Sequence, residues 1–169
     1  MAGRVIQALR HSVLAPPLSE AELRAVANCG RIESYDPGAA IIPADGLDER
    51  VYLLQEGDVR LSIFMGSEGG HCGGEASFEL TTPGEAFGWG WWVRSERIKA
   101  TAAARDAATL VVLDLRNLGD AATLLKVSQR MVFLLYARLQ EGGVCPPDVQ
   151  GLLKWQHSLH AQGEERVVR

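Results

Sequence analysis

"TPGEAFGWGWWVRSERIKATA", residues 82–102, carries three of the chain's four tryptophans, at 89, 91 and 92. Pro83 and Gly84 mark a turn before it, and Gly88 and Gly90 interrupt the aromatic run. Each indole can cover ~150–250 Å² of surface. A stretch this bulky and this rich in glycine fits neither a regular strand nor a regular helix. Its meaning has to come from what flanks it.

Downstream, "KATAAARDAATLVVLDL" reads as two strands about a short turn. Upstream, "RVYLLQEGDVRLSIFM" alternates around Glu56-Gly57-Asp58, "RIESY" stops at Asp36-Pro37-Gly38, and "AAIIPADG" is a short strand with a turn behind it. "GSEGGHCGGEA" is a glycine-rich hairpin tip. Strands that recur every 8–12 residues with turns between them indicate a sandwich or barrel. The barrel is expected over about 31–115, with about eight strands.

Helical periodicity frames this region. Val5, Ile6, Leu9, Val13 and Leu14 predict a helix over 4–14 that ends before Pro16–Pro17. Ser19 and Glu22 form a capping box for a second helix, with Leu18 placed to staple onto Leu23 and Gly30 as its stop. From 119 to 141 the apolar positions spread too widely for a single stripe, over a helix of about six turns. One side can lie on the barrel. A second copy of the same helix is the simplest cover for the other, with Leu125, Val132, Leu135 and Leu139 as candidate interface residues. The alternative cover is the segment 144–169, a short helical extension whose apolar residues are Leu152, Leu153, Trp155 and Leu159.

Composition narrows the function. Apolar residues make up 47% and charged residues 22% of 169, enough for one globular domain, 1–143, with the extension behind it. A net charge of −4 does not suit a protein whose main partner is a phosphate backbone. Cys29, Cys72 and Cys145 are odd in number and far apart, which speaks against a disulfide framework and fits a cytoplasmic setting. No apolar run is long enough for a membrane span, so no membrane association is expected. Of His11, His71, His157 and His160 only His71 falls in the barrel, so a cupin-type metal enzyme is a distant alternative. No nucleophile-and-base pattern is visible; neither catalysis nor a cofactor is expected.

The order of helix, eight-strand barrel and long helix resembles the cyclic-nucleotide-binding domain family, which includes the sensor halves of catabolite-activator-type regulators and the regulatory subunits of kinases. Gly57 and Val59 fall on the family's "V-x-x-G-x-V" hairpin, and Pro83, Gly84, Phe87 and Gly88 on its "P-G-D-x-F-G-E". The resemblance covers about 14–143 and makes "FGWGWWVRSERIKATA" the phosphate-binding cassette. It implies a jelly-roll barrel and a regulatory role. It also implies that the ligand-side positions are Gly88, Trp89, Gly90, Trp91, Trp92, Ile98, Lys99 and Ala100. The family's ribose-binding glutamate is replaced by Trp89 and its phosphate-binding arginine by Ile98; the nearby cations are Lys99, Arg97 and Arg94, and in an extended segment a one-residue offset turns Arg97 to the opposite face. Two lost charge-assisted hydrogen bonds weaken binding by roughly a hundred- to ten-thousand-fold. The cassette is thus expected to be degenerate: its shape is kept and its usual recognition of cAMP or cGMP is lost. A sensor of another small molecule in an aromatic pocket is the second expectation, and a protein partner at the tryptophans a third. Relatives that bind DNA need on the order of 60 further residues for a helix-turn-helix unit. Only 26 follow Gly143 here, so no DNA binding is expected of this chain alone.

Overall fold

The computed structural model describes residues 2–43, 50–65, 74–88 and 98–143. Two helices come first, α1 (Ala2–Arg10) and α2 (Glu20–Asn28). Eight strands follow: β1 (Gly30–Tyr35), β2 (Ala40–Ile42), β3 (Val51–Glu56), β4 (Val59–Met65), β5 (Gly74–Leu80), β6 (Ala86–Phe87), β7 (Ile98–Ala104) and β8 (Ala108–Leu113). A 3-10 turn at Leu115–Asn117 leads into α3 (Ala121–Glu141). The strands form two antiparallel four-stranded sheets, ordered β1-β8-β3-β6 and β2-β7-β4-β5, a two-sheet barrel of the kind the strand spacing indicates and the jelly-roll arrangement that the family resemblance implies. Among the described residues no helix is long and apolar enough to cross a membrane.

The inner faces follow from alternation. Along β4, Val59, Leu61 and Ile63 are buried, while Arg60 and Phe64 are exposed. In β3 and β8 the burial is almost continuous, because helix packing covers the outer face of their sheet: α1 lies against β1 and β3. The capping box forms as read. Ser19 N–H donates to Glu22 Oε2 at 2.7 Å, and Glu22 N–H donates to the Ser19 hydroxyl at 3.4 Å. Leu18 and Leu23 are both buried.

Three local expectations give way to tertiary contacts. α1 stops at Arg10 instead of running to Leu14, because the Ser12 hydroxyl donates to Leu9 O at 2.7 Å and Val13 N–H turns to Gly84 O at 3.0 Å. α2 does end just before Gly30, but this glycine is not a left-handed cap, since its φ is not positive. Cys29 is the C-cap, and Gly30 opens β1 where a side chain would strike Val5 and Leu113. The Gly57 turn is not a hairpin turn either. β3 pairs with β6 and β8, and β4 with β5 and β7, so the turn carries the chain from one sheet to the other.

That corner is shared. β3–β4 and β7–β8 pair along their length in both sheets and turn together. Arg105 N–H donates to Asp58 O at 2.8 Å across the corner. Gly57 has φ +89°, and a Cβ there would run into the Ala107 carbonyl and stand 2.8 Å from Ala108 Cα. β1–β2 joins at the neighbouring turn, where Gly38 N–H reaches Ala104 O at 2.8 Å.

α3 begins at Asp120, whose carboxylate accepts from Ala122 N–H at 3.1 Å. It is tied down along its length by three polar contacts. Lys126 Nζ meets Glu22 Oε1 at 2.6 Å, Arg130 Nε donates to Val13 O at 2.7 Å, and Arg138 Nη2 meets Glu85 Oε1 at 2.5 Å. Thr123, Val127, Ser128, Met131, Leu135 and Leu139 form its buried side. Leu135 and Leu139 are therefore occupied by this chain's own core, and a partner reading can keep only Leu125 and Val132, which are half-buried.

Two predictions follow from these contacts. Gly57→Ala lowers stability by about 2–4 kcal/mol, the sum of a left-handed non-glycine residue and a backbone clash. Gly38→Ala, at φ +82° but with open space around it, costs only about 1 kcal/mol; denaturant midpoints measure both. The Lys126 ammonium, and after it the Ser19 N–H, hold the Glu22 carboxyl at about 2 against an ordinary 4.5. The folded value lies below the unfolded one, so this stabilisation is complete above the ordinary value and is lost as pH falls from 4.5 toward about 2. The stability difference between wild type and Glu22→Gln is expected to be steady near neutral pH and to shrink through that window. Denaturation curves at stepped pH that show a constant difference would refute it.

Candidate functional site

The stretch 89–97 lies outside the described residues, and with it Trp89, Gly90, Trp91 and Trp92. So do the glycine-rich tip 66–73 and the extension 144–169. What is described is the pair of anchors on which 89–97 hangs, one in each sheet, and the helix that packs beside them.

The first anchor is Phe87-Gly88. β6 is a two-residue edge strand on β3, with Phe87 opposite Tyr52 and the two rings stacked at 5.1 Å and 12°. Gly88 is buried at φ +97°. A Cβ on it would collide with the Arg50 carbonyl and stand 3.1 Å from the Tyr52 ring. Glycine is required here by close approach, which gives the sequence's "F-G" pair a physical reason.

The second anchor is β7. Its register on β4 is continuous from Val59↔Ala104 to Met65↔Ile98. Ala100, Ala102 and Ala104 pair with Ile63, Leu61 and Val59, all buried, so they line the inner side. Lys99 has the opposite parity. It is exposed on the outer face opposite Phe64, itself 39% exposed. This placement carries the Lys99 side chain away from the barrel interior, because a one-residue step in a strand reverses the face.

The described part of the interior carries no buried Asp, Glu, Lys, Arg or His. Among the described residues the buried polar side chains other than Tyr52 are Ser12, Thr123 and Ser128, none of them on a strand. No group of three His, Cys, Asp or Glu residues among them could hold a metal ion.

The end of α3 sits beside this site, a feature that no local pattern announces. A Cβ on Gly142 would overlap that of Ala76 and lie 3.0 Å from Phe78 Cζ, so the helix terminus rests directly on β5. Arg138 lies over the Phe78 ring, 5.6 Å from its centroid, while its guanidinium meets Glu85. The other oxygen of Glu85 accepts from Thr81 and Thr82 N–H at 3.1 and 3.0 Å. Gly142 is visible in the sequence as the stop of a helix; its contact with β5 is not, and neither Glu85 nor Arg138 stands out there.

No protein-family model and no curated protein matches the chain. Solved structures do. The catabolite activator protein of Thermus thermophilus aligns with a TM-score of 0.57 and 27% identity over 79% of this chain and 61% of its own. The regulatory subunit of a cAMP-independent protein kinase A from Trypanosoma brucei aligns with a TM-score of 0.60 and 17% identity over 85% of this chain and 48% of its own. A putative cyclic nucleotide-binding protein from Geobacter metallireducens aligns with a TM-score of 0.60 and 20% identity, covering 79% of this chain and 96% of its own. The chain thus spans less than two thirds of the first two of these.

Proposed function

We propose that this chain, which has the fold of the cyclic-nucleotide-binding domains, is a regulatory or interaction module whose barrel does not take cAMP or cGMP in the ordinary way. The observation that carries this reading is that no buried charge stands among the described strand residues of the barrel. Among the described strand residues no Asp, Glu, Lys, Arg or His side chain is buried, and Lys99 stands on the outer face. A cyclic phosphate brought into such an interior without a cation loses its hydration and gains no partner, at a cost of several kcal/mol. The sequence adds that the positions matching the family's glutamate and arginine are Trp89 and Ile98. A regulatory subunit of a cAMP-independent kinase is among the structures of like fold, so the fold serves regulation without that nucleotide elsewhere.

The module is read as a homodimer through the outer side of α3. Leu125 and Val132 on that side are half-buried, and Phe133, at 58% exposure, is the most exposed large apolar side chain among the described residues. A second copy presenting the same face matches it by two-fold symmetry.

Isothermal titration with cAMP and with cGMP tests the first reading. The expected result is no binding in the micromolar range, and a micromolar or tighter dissociation constant for either nucleotide overturns it. Sedimentation tests the second. Wild type is expected to sediment as a dimer and Val132→Glu/Phe133→Glu as a folded monomer; a monomeric wild type overturns it.

A further inference from the structure

We infer that the Glu85–Arg138 ion pair is a releasable clamp, which makes the seating of the last turn of α3 on β5 and the conformation of the β5–β6 turn a single equilibrium. This goes beyond the proposed function and holds whatever the barrel does or does not bind.

The geometry divides the Glu85 carboxylate between two duties. Oε2 organises its own turn by accepting from Thr81 and Thr82 N–H, and Oε1 holds Arg138 at 2.5 Å. The two residues are 53 positions apart, so the bond joins elements that no local structure connects. Both side chains are about one-fifth exposed, which leaves the pair less screened than the surface pairs of this chain such as Arg24–Glu20. Arg138 gains a second contact from the face of Phe78.

The turn it grips is in turn bonded to the barrel. Gly84 N–H donates to Leu54 O at 2.7 Å, Leu54 N–H donates to Glu85 O at 2.9 Å, and β6 then runs to Gly88 on the same strand β3. A shift of this turn therefore alters the carboxylate that holds the helix. A lifted helix end takes away the cation that holds that carboxylate in place over the Thr81 and Thr82 amides. Lifting also exposes Ala76, Leu139 and the ring of Phe78, the apolar surface beneath the terminus. The seat has no slack, because Gly142 already touches Ala76, so any residue larger than glycine there displaces the helix end. Two states joined by one shared group give reciprocal coupling: whatever moves the turn moves the helix end, and the reverse.

Amide hydrogen exchange on the full chain tests the clamp, with tryptophan emission recorded in a Trp155→Phe background so that only Trp89, Trp91 and Trp92 report. Arg138→Gln removes the pair and Gly142→Ala unseats the helix without touching it. Each is expected to raise exchange about tenfold both at residues 138–142 and at the amides of Thr81 and Thr82, and to shift the emission. Lys126→Gln, which breaks a different tie of α3, is expected to leave Thr81 and Thr82 unchanged. Faster exchange confined to the helix end in either variant overturns the coupling. The same response from Lys126→Gln also overturns it, because α3 would then be moving as a whole.

Discussion

The close approach of Gly57 to the Ala107 carbonyl is the constraint on which the rest of the barrel depends. Two antiparallel ribbons cross from one sheet to the other at the same place, and the bond from Arg105 N–H to Asp58 O binds the crossings together. A side chain at 57 would separate them. With the corner closed, the register of β7 on β4 is set from Val59↔Ala104 outward, and the side chains that face inward are set with it. The point where the chain re-enters the barrel after residue 97 follows from a contact at the opposite end of the strand, six residues away.

The chemistry of the interior follows from that register. A slip of one residue would bring Lys99 inward and send Ala100 out. In the register observed, the inner side of β7 is Ala100, Ala102 and Ala104, and the one lysine of the strand is on the solvent side. The described inner side of this barrel is thus lined by small apolar side chains along β7.

Features whose causes are local were legible in the sequence. The capping box at Ser19 and Glu22 needs four residues, the alternation of β4 needs a few more, and strand spacing was enough to indicate a sandwich or barrel. Features whose causes are distant were not. Nothing near Leu14 says that Val13 N–H will prefer Gly84 O to a helical partner. Nothing near Gly57 says that its turn joins two sheets, since a corner and a hairpin share the same glycine. Leu135 and Leu139 look equivalent to Leu125 and Val132 until the barrel decides which side of the helix it covers. Of the candidate site, the requirement for Gly88 was readable as a motif, whereas the outward Lys99 depended on a register that only pairing reveals.

α3 shows how a helix can be too apolar for one task. Its modest amphipathicity comes from two apolar sides, one closed by Val127, Met131, Leu135 and Leu139 against the barrel and one left with Leu125, Val132 and Phe133. Apolar packing has no direction, so burial alone would let such a helix roll or slide. The three polar ties remove that freedom. Lys126, Arg130 and Arg138 succeed one another at four and eight residues along the helix, and each meets a different part of the chain: α2, the segment after α1, and the β5–β6 turn. These contacts fix rotation and height together, because a roll that kept one would break the other two. The outward side is then held in one orientation, which a partner surface requires. The charges that this fold does not place among the described strands inside its barrel stand instead along the seam between barrel and helix.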